Sequence, residues 1–199
     1  MNACIFLKFL CRPKPGAIGI LIGVVWVCVY AQMQSEVRYR RSVHEYAIPE
    51  LSLFDQNGGT VSVQSLAKDK IVLMDFFYTR CKTVCPVLTG NFANFQYRLK
   101  PDTARVRLVS ITIDPEHDSI NTLSQFKARY KAQPGWSFLT GSRENIQRVM
   151  RAFSAYTKAK MGFYPLVFIY MPHKRQWVQL EGYLPVDELI GEYRKIDDR

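Results

Sequence analysis

A chain of 199 residues is long enough for one ordinary domain plus a terminal segment. With 48% hydrophobic and 22% charged residues it can bury a core, which excludes disorder as its default state. The net charge of +10 suits nucleic acid, an anionic membrane surface or an acidic partner. The basic residues are scattered and carry no zinc-finger or RNP signature, so a solvated basic surface near a membrane is favoured over nucleic-acid binding.

Residues 17–31 read AIGILIGVVWVCVYA and carry no charge. Taken from Gly16 to Met33, the run approaches the roughly 17 to 25 residues that span a bilayer. Lys8, Arg12 and Lys14 precede it, as the positive-inside rule expects, although Arg38, Arg40 and Arg41 follow. The expected order is a cytoplasmic N-terminus (1–15), a transmembrane anchor (16–33), a charged linker (34–46) and a folded domain (47–199). A cleaved signal peptide is the rival reading of the apolar run.

Leu51–Asp55 and Val61–Val63 flank Gln56-Asn57-Gly58-Gly59, whose Asn-Gly step predicts a β-hairpin. Ile71–Tyr78 is almost continuously apolar, as in a strand covered on both faces. Pro86 fits the first turn of a helix, and Phe92, Phe95 and Leu99 recur at helical spacing after it. Arg105–Ile113 reads as a second core strand. Ser119–Ala132 and Ser142–Tyr156 read as amphipathic helices, with Ser142 as an N-cap. Leu166–Met171 and Trp177–Leu180 read as an antiparallel pair turning through Pro172 and His173. Pro185 opens a last helix that begins with Asp187 and Glu188 and ends near Arg194 and Lys195, in accord with the helix dipole.

Five cysteines are present, and Cys4, Cys11 and Cys28 lie in or before the apolar segment. Cys81 and Cys85 stand by themselves in the expected domain, too few for a disulfide-stapled scaffold. They follow a buried strand and enter a helix, where ligands and catalysis sit in a parallel α/β sheet. A helix N-terminus favours a thiolate, and Arg80 and Lys82 add positive charge. Four residues apart on a helical turn, their Cα atoms lie about 6 Å from one another, within the reach of a disulfide. The pair can hold a disulfide or a soft metal; a structural disulfide and two inert thiols are the plainer alternatives.

The run Tyr78-Thr79-Arg80-Cys81-Lys82-Thr83-Val84-Cys85-Pro86 resembles the metal-binding loop of the Sco/SenC family. Leu108–Asp118 is similar to that family's strand ending in Asp-Pro-Glu, and Phe138–Glu144 to its Leu-Thr-Gly stretch before a helix. Gly58–Asp75 is similar to its entry from hairpin to core strand. The resemblance spans about residues 45–195. It implies an α/β, thioredoxin-like fold with an N-terminal β-hairpin, preceded by one transmembrane helix. It also implies copper handling and thiol–disulfide exchange in assembly of the copper centre of cytochrome c oxidase. The family's copper ligands are two cysteines and a histidine two residues before the cis-proline position of thioredoxins.

Counted back from Met171-Pro172, that proline position is Pro165, expected to be cis and to act with Cys81 and Cys85 in substrate binding. The histidine position is then Phe163, which offers no donor atom. His117, after a core strand, is the substitute copper ligand or thiol-tuning base; His173 reads as a solvated turn residue and His44 as part of the linker. The expected function is therefore a membrane-anchored thiol–disulfide oxidoreductase with weak copper binding at Cys81 and Cys85. A copper-binding chaperone is the alternative. A thiol peroxidase ranks last, because it needs Thr three residues before the reactive Cys, where Tyr78 and Lys82 stand. The expected partner is the copper-site subunit of cytochrome c oxidase or another exported thiol protein. The expected location is a bacterial inner membrane with the domain in the periplasm, or the mitochondrial inner membrane.

Overall fold

The computed structural model describes residues 39–100, 104–156 and 164–197. The expected anchor at 16–33 and Phe163 lie outside the described residues. Among the described residues no helix is long and apolar enough to cross a membrane.

Eight strands form one sheet in the order β1-β8-β7-β4-β5-β6-β2-β3. Its centre is β4 (Ile71–Phe77), parallel to β5 (Val106–Thr112), which is parallel to β6 (Trp136–Thr140). On its other side β4 meets β7 (Leu166–Met171), antiparallel, and β7 turns back into β8 (Gln176–Gly182). The hairpin expected around Asn57-Gly58 is β2 (Ser52–Asp55) and β3 (Thr60–Ser62), added to the free side of β6. The Asp55 carboxylate accepts from the N–H groups of Asn57 and Gly59, and Gly58 takes φ 83°, open to glycine without strain.

Every residue of β4 and β7 is buried, because helices cover both faces of the sheet. The period-2 pleat divides β4 between two cores. Leu73 and Phe77 face α2 (Val84–Leu99), α3 (Ile120–Arg129) and α5 (Val186–Asp197), with Phe92, Phe126 and Leu189 from these helices in the same cluster. Val72, Met74 and Phe76 face α1 (Val63–Leu66) and α4 (Arg143–Ala152), through Leu66, Val149 and Phe153. The thioredoxin-like α/β architecture that the resemblance implies is the architecture observed.

Ser119 and Ser142 cap α3 and α4, their hydroxyls accepting from Thr122 N–H and Asn145 N–H. Thr83 precedes α2 with no side-chain cap bond, so the cysteine turn leads into the helix without a conventional N-cap.

Three elements differ from the sequence reading, the first being α1, whose Val63 reads there as part of the hairpin strand. Tyr39–His44, placed there in the linker, is β1 and pairs along its whole length with β8. Its side chains are anchors: Arg41 Nε and the Tyr39 hydroxyl donate to Glu192 of α5, at 2.8 and 3.0 Å, and Glu192 is 1% exposed. Trp136–Thr140, of which Phe138 onward reads only as part of a stretch (Phe138–Glu144) before a helix, is strand β6. It follows the Pro134-Gly135 turn and is short, so its apolar residues give little periodicity.

Candidate dithiol site

The site begins where β4 ends. Tyr78 O accepts from Cys81 N–H at 3.1 Å, closing a turn over residues 78–81. The chain enters α2 at Val84, so Cys85 lies in the first helical turn and Pro86 in the position where a missing N–H costs nothing. Cys81 and Cys85 are free thiols, 8% and 1% exposed. Cys81 Sγ accepts from Cys85 N–H at 3.4 Å and lies 3.7 Å from Thr83 Oγ1.

These contacts make the two thiols unequal. Burial opposes ionisation of Cys81, but hydrogen bonds from the Cys85 thiol, the Thr83 and Cys85 N–H groups and the Thr83 hydroxyl outweigh it. The Cys81 thiol is thereby brought down to about 7. Cys85 is pushed well up, first by burial and then by the thiol of Cys81. The Tyr78 phenol is also raised, by burial first and then by its contact with Cys81. The surroundings thus favour the thiolate at Cys81 and the protonated thiol at Cys85.

The loop after β5, Asp114-Pro115-Glu116-His117-Asp118, braces this turn. The Asp118 carboxylate accepts from Thr79 N–H at 3.1 Å, Thr79 Oγ1 at 2.5 Å and Thr112 Oγ1 at 2.5 Å. Asp114, 1% exposed, pairs with Arg80 at 3.0 Å and with His117 Nδ1 at 2.8 Å. Glu116 pairs with Arg143 at the start of α4. Sequence reasoning gave Asp114, Asp118 and Thr79 no role. The available signal was a run of acidic residues directly after an apolar strand, where bare carboxylates cannot be buried without partners.

Beneath the turn, Asp75 of β4 is 0% exposed, and neither carboxyl oxygen has a partner in hydrogen-bonding geometry. Burial pushes its carboxyl up to about 7, with the Ser110 side chain and the Asp75 main chain opposing in part. Ser110, its register partner on β5, receives the Trp136 indole N–H at 3.0 Å. The negative charge of Asp75 is one of the influences that raise Cys85.

Of the residues singled out in the sequence, Cys81 and Cys85 are together in one turn. His117 is engaged by Asp114, with its side chain 48% exposed. Among the described residues no group of three His, Cys, Asp or Glu side chains could hold a metal ion, so His117 is not gathered with the cysteines into a ligand set. Pro165 lies beside the end of β4, two residues before Val167, the register partner of Asp75, and its carbonyl accepts from Gly182 N–H. The expected cis bond is a correction: among the described residues no peptide bond is cis, and the Tyr164–Pro165 bond is trans. Trans is the intrinsically favoured form of an X–Pro bond, by about 0.5–1 kcal/mol, and Pro165 leads into β7 without the cis turn.

The model of the SCO1/SenC family matches residues 41–166, more than half of the chain and inclusive of the dithiol turn and its bracing loop. The chain belongs to the SCO1/SenC family. It is 35% identical over 147 residues to the SCO1 protein homolog of Bacillus subtilis, covering 72% of this chain and 74% of that one. Against the SCO2 homolog of Bos taurus mitochondria it is 26% identical, and the match spans about half of that relative's length (54%). Among solved structures, BsSco, a Sco-family cytochrome c oxidase assembly protein with a disulfide switch, is 28% identical with a TM-score of 0.65. That match covers 78% of this chain and 95% of BsSco. For this SCO1/SenC chain, the matched residues include the strand-to-helix turn with Cys-x-x-x-Cys-Pro.

Proposed function

We propose that this SCO1/SenC protein is a thiol–disulfide oxidoreductase that uses Cys81 and Cys85 on an exported protein during assembly of the copper centre of cytochrome c oxidase. The observation that carries the reading is the inequality of two thiols in one turn: Cys81 acidified to about 7 and in contact with Cys85 N–H, Cys85 buried and raised. The disulfide switch identified in BsSco supports it.

The Cys81 thiolate attacks one sulfur of a partner disulfide. A mixed disulfide forms and the partner's other sulfur leaves as a thiolate. Cys85 then loses its proton and attacks Cys81 Sγ. The Cys81–Cys85 disulfide forms and the partner's second sulfur leaves. Two electrons have passed from this protein to the partner, and the reverse sequence oxidises a partner dithiol.

The second reading is copper delivery, with copper as cargo. A copper-bound structure of ScoI from Bradyrhizobium japonicum, 27% identical with a TM-score of 0.54 and covering 63% of this chain and 83% of that one, favours it. Two soft thiols suit Cu(I), whereas Cu(II) asks for nitrogen donors that Phe163 does not offer.

Oxidised glutathione separates the readings. Wild-type protein is expected to close the Cys81–Cys85 disulfide. Cys85→Ser is expected to stop at a glutathione adduct on Cys81, and Cys81→Ser to react at least 100-fold more slowly. Peptide-resolved mass spectrometry reads all three. Both cysteines unreactive towards glutathione, together with tight Cu(I) retention against a chelator, would replace the oxidoreductase by the copper carrier.

A further inference from the structure

We propose that Asp118 is a positioning residue for the dithiol: by gripping Thr79 it holds the turn that carries Cys81 against Cys85 and so favours closure of their disulfide. This rests on the dithiol reading above.

Asp118 is 0% exposed, and a buried carboxylate is tolerated where donors satisfy it. Three donors do so here, two of them the N–H and the hydroxyl of Thr79. The carboxylate is itself fixed at both sides. Thr112, the last residue of β5, supplies the third donor, and Ser119, the residue after Asp118, caps α3. Asp118 N–H also donates to Asp114 O at 3.0 Å. The grip therefore ties the cysteine turn to a strand end and a helix start, two rigid elements.

The two cysteines are not equally anchored. Cys85 is carried by α2, whose Leu88, Phe92 and Phe95 are locked in the core at 3% exposure or less. Cys81 sits on a non-helical turn closed by a single main-chain bond to Tyr78 O. Its place is set by the bond from Cys85 N–H to its Sγ and by what holds residues 79 and 80, namely Asp118 and Asp114. The equilibrium for closing a disulfide scales with the effective concentration of one thiol at the other. A turn released from Asp118 spreads Cys81 over more positions and lowers that concentration.

The test is the full chain equilibrated in graded mixtures of reduced and oxidised glutathione, with the Cys81–Cys85 disulfide counted at peptide level. Thr79→Val keeps shape and the N–H donor but loses the hydroxyl, and is expected to lower the closing constant about tenfold, near 30 mV in potential. Asp118→Asn is expected to fall at least as far, and it replaces Thr79→Val if that variant does not fold. Thr79→Ser, which restores the hydroxyl, is expected within twofold of wild type. Gln96→Met removes a different buried anchor, the bonds to Gln133 and Pro134 towards the far end of α2, and is expected to leave the constant unchanged. A wild-type constant in both Thr79→Val and Asp118→Asn overturns the proposal, as does an equal fall in Gln96→Met. No Cys81–Cys85 disulfide in wild type at any ratio overturns the dithiol reading and this proposal together.

Discussion

Replacing Asp75 by asparagine is expected to abolish a loss of stability of about 4 kcal/mol that the wild type suffers between pH 4 and pH 7. Asp75 is fully buried, and its carboxyl is raised from 3.8 to about 7 in the fold. Below pH 4 both the folded and the unfolded chain hold the proton, and the contribution is fully present. Between pH 4 and 7 the unfolded chain releases the proton while the folded one keeps it, so stability falls as pH rises. Above pH 7 the folded form ionises too and the loss levels off. Asparagine is nearly the same shape and does not titrate. Urea unfolding of wild type and Asp75→Asn at several pH values reads the effect as a difference that grows with pH. A difference independent of pH would show that Asp75 is ionised throughout in the fold.

Phe168→Ala is expected to cost about 4 kcal/mol. The ring is 0% exposed on β7 and meets Phe76, Phe153 and Tyr46 edge-on or tilted, with centroids 5.9, 5.2 and 6.0 Å away. Truncation forfeits the transfer free energy of the ring and leaves a cavity that three aromatic neighbours cannot collapse to fill. Against a typical total of roughly 5 to 15 kcal/mol, that is a large share, and the melting temperature is expected to fall by roughly 10 to 15 °C. Phe168 belongs to the core on the far side of the sheet from the cysteines. Folded Phe168→Ala at low temperature should therefore close its disulfide as wild type does. A loss under about 1 kcal/mol would mean that this core repacks around the gap.

The central strands were legible because burial on both faces leaves no polar alternation: Ile71–Phe77 and Leu166–Met171 are apolar runs bounded by turn residues. The hairpin was legible from Asn57-Gly58, and α4 from Ser142. β1 was hidden by Arg40 and Arg41, since an edge strand carries charges outward. Nothing local to Arg41 announces a partner 151 positions away in Glu192.

At the site, the cysteine pair and its strand-to-helix setting could be read directly, whereas its supports could not. Asp75 did carry a signal, one carboxyl inside a run that must be covered on both faces, yet its setting depends on Ser110, which the parallel pairing of β4 with β5 brings opposite it. The bonds from Thr79 to Asp118 join residues 39 apart, brought together because β4 and β5 are parallel neighbours ending at the same edge.

The division of labour between the two thiols is tested most directly by peptide-resolved alkylation of the reduced full chain with iodoacetamide from pH 5 to 10. The predicted result is labelling of Cys81 with a midpoint near 7, while Cys85 stays unlabelled until the protein is denatured. Equal labelling of the two cysteines, or Cys85 reacting first, would contradict the account.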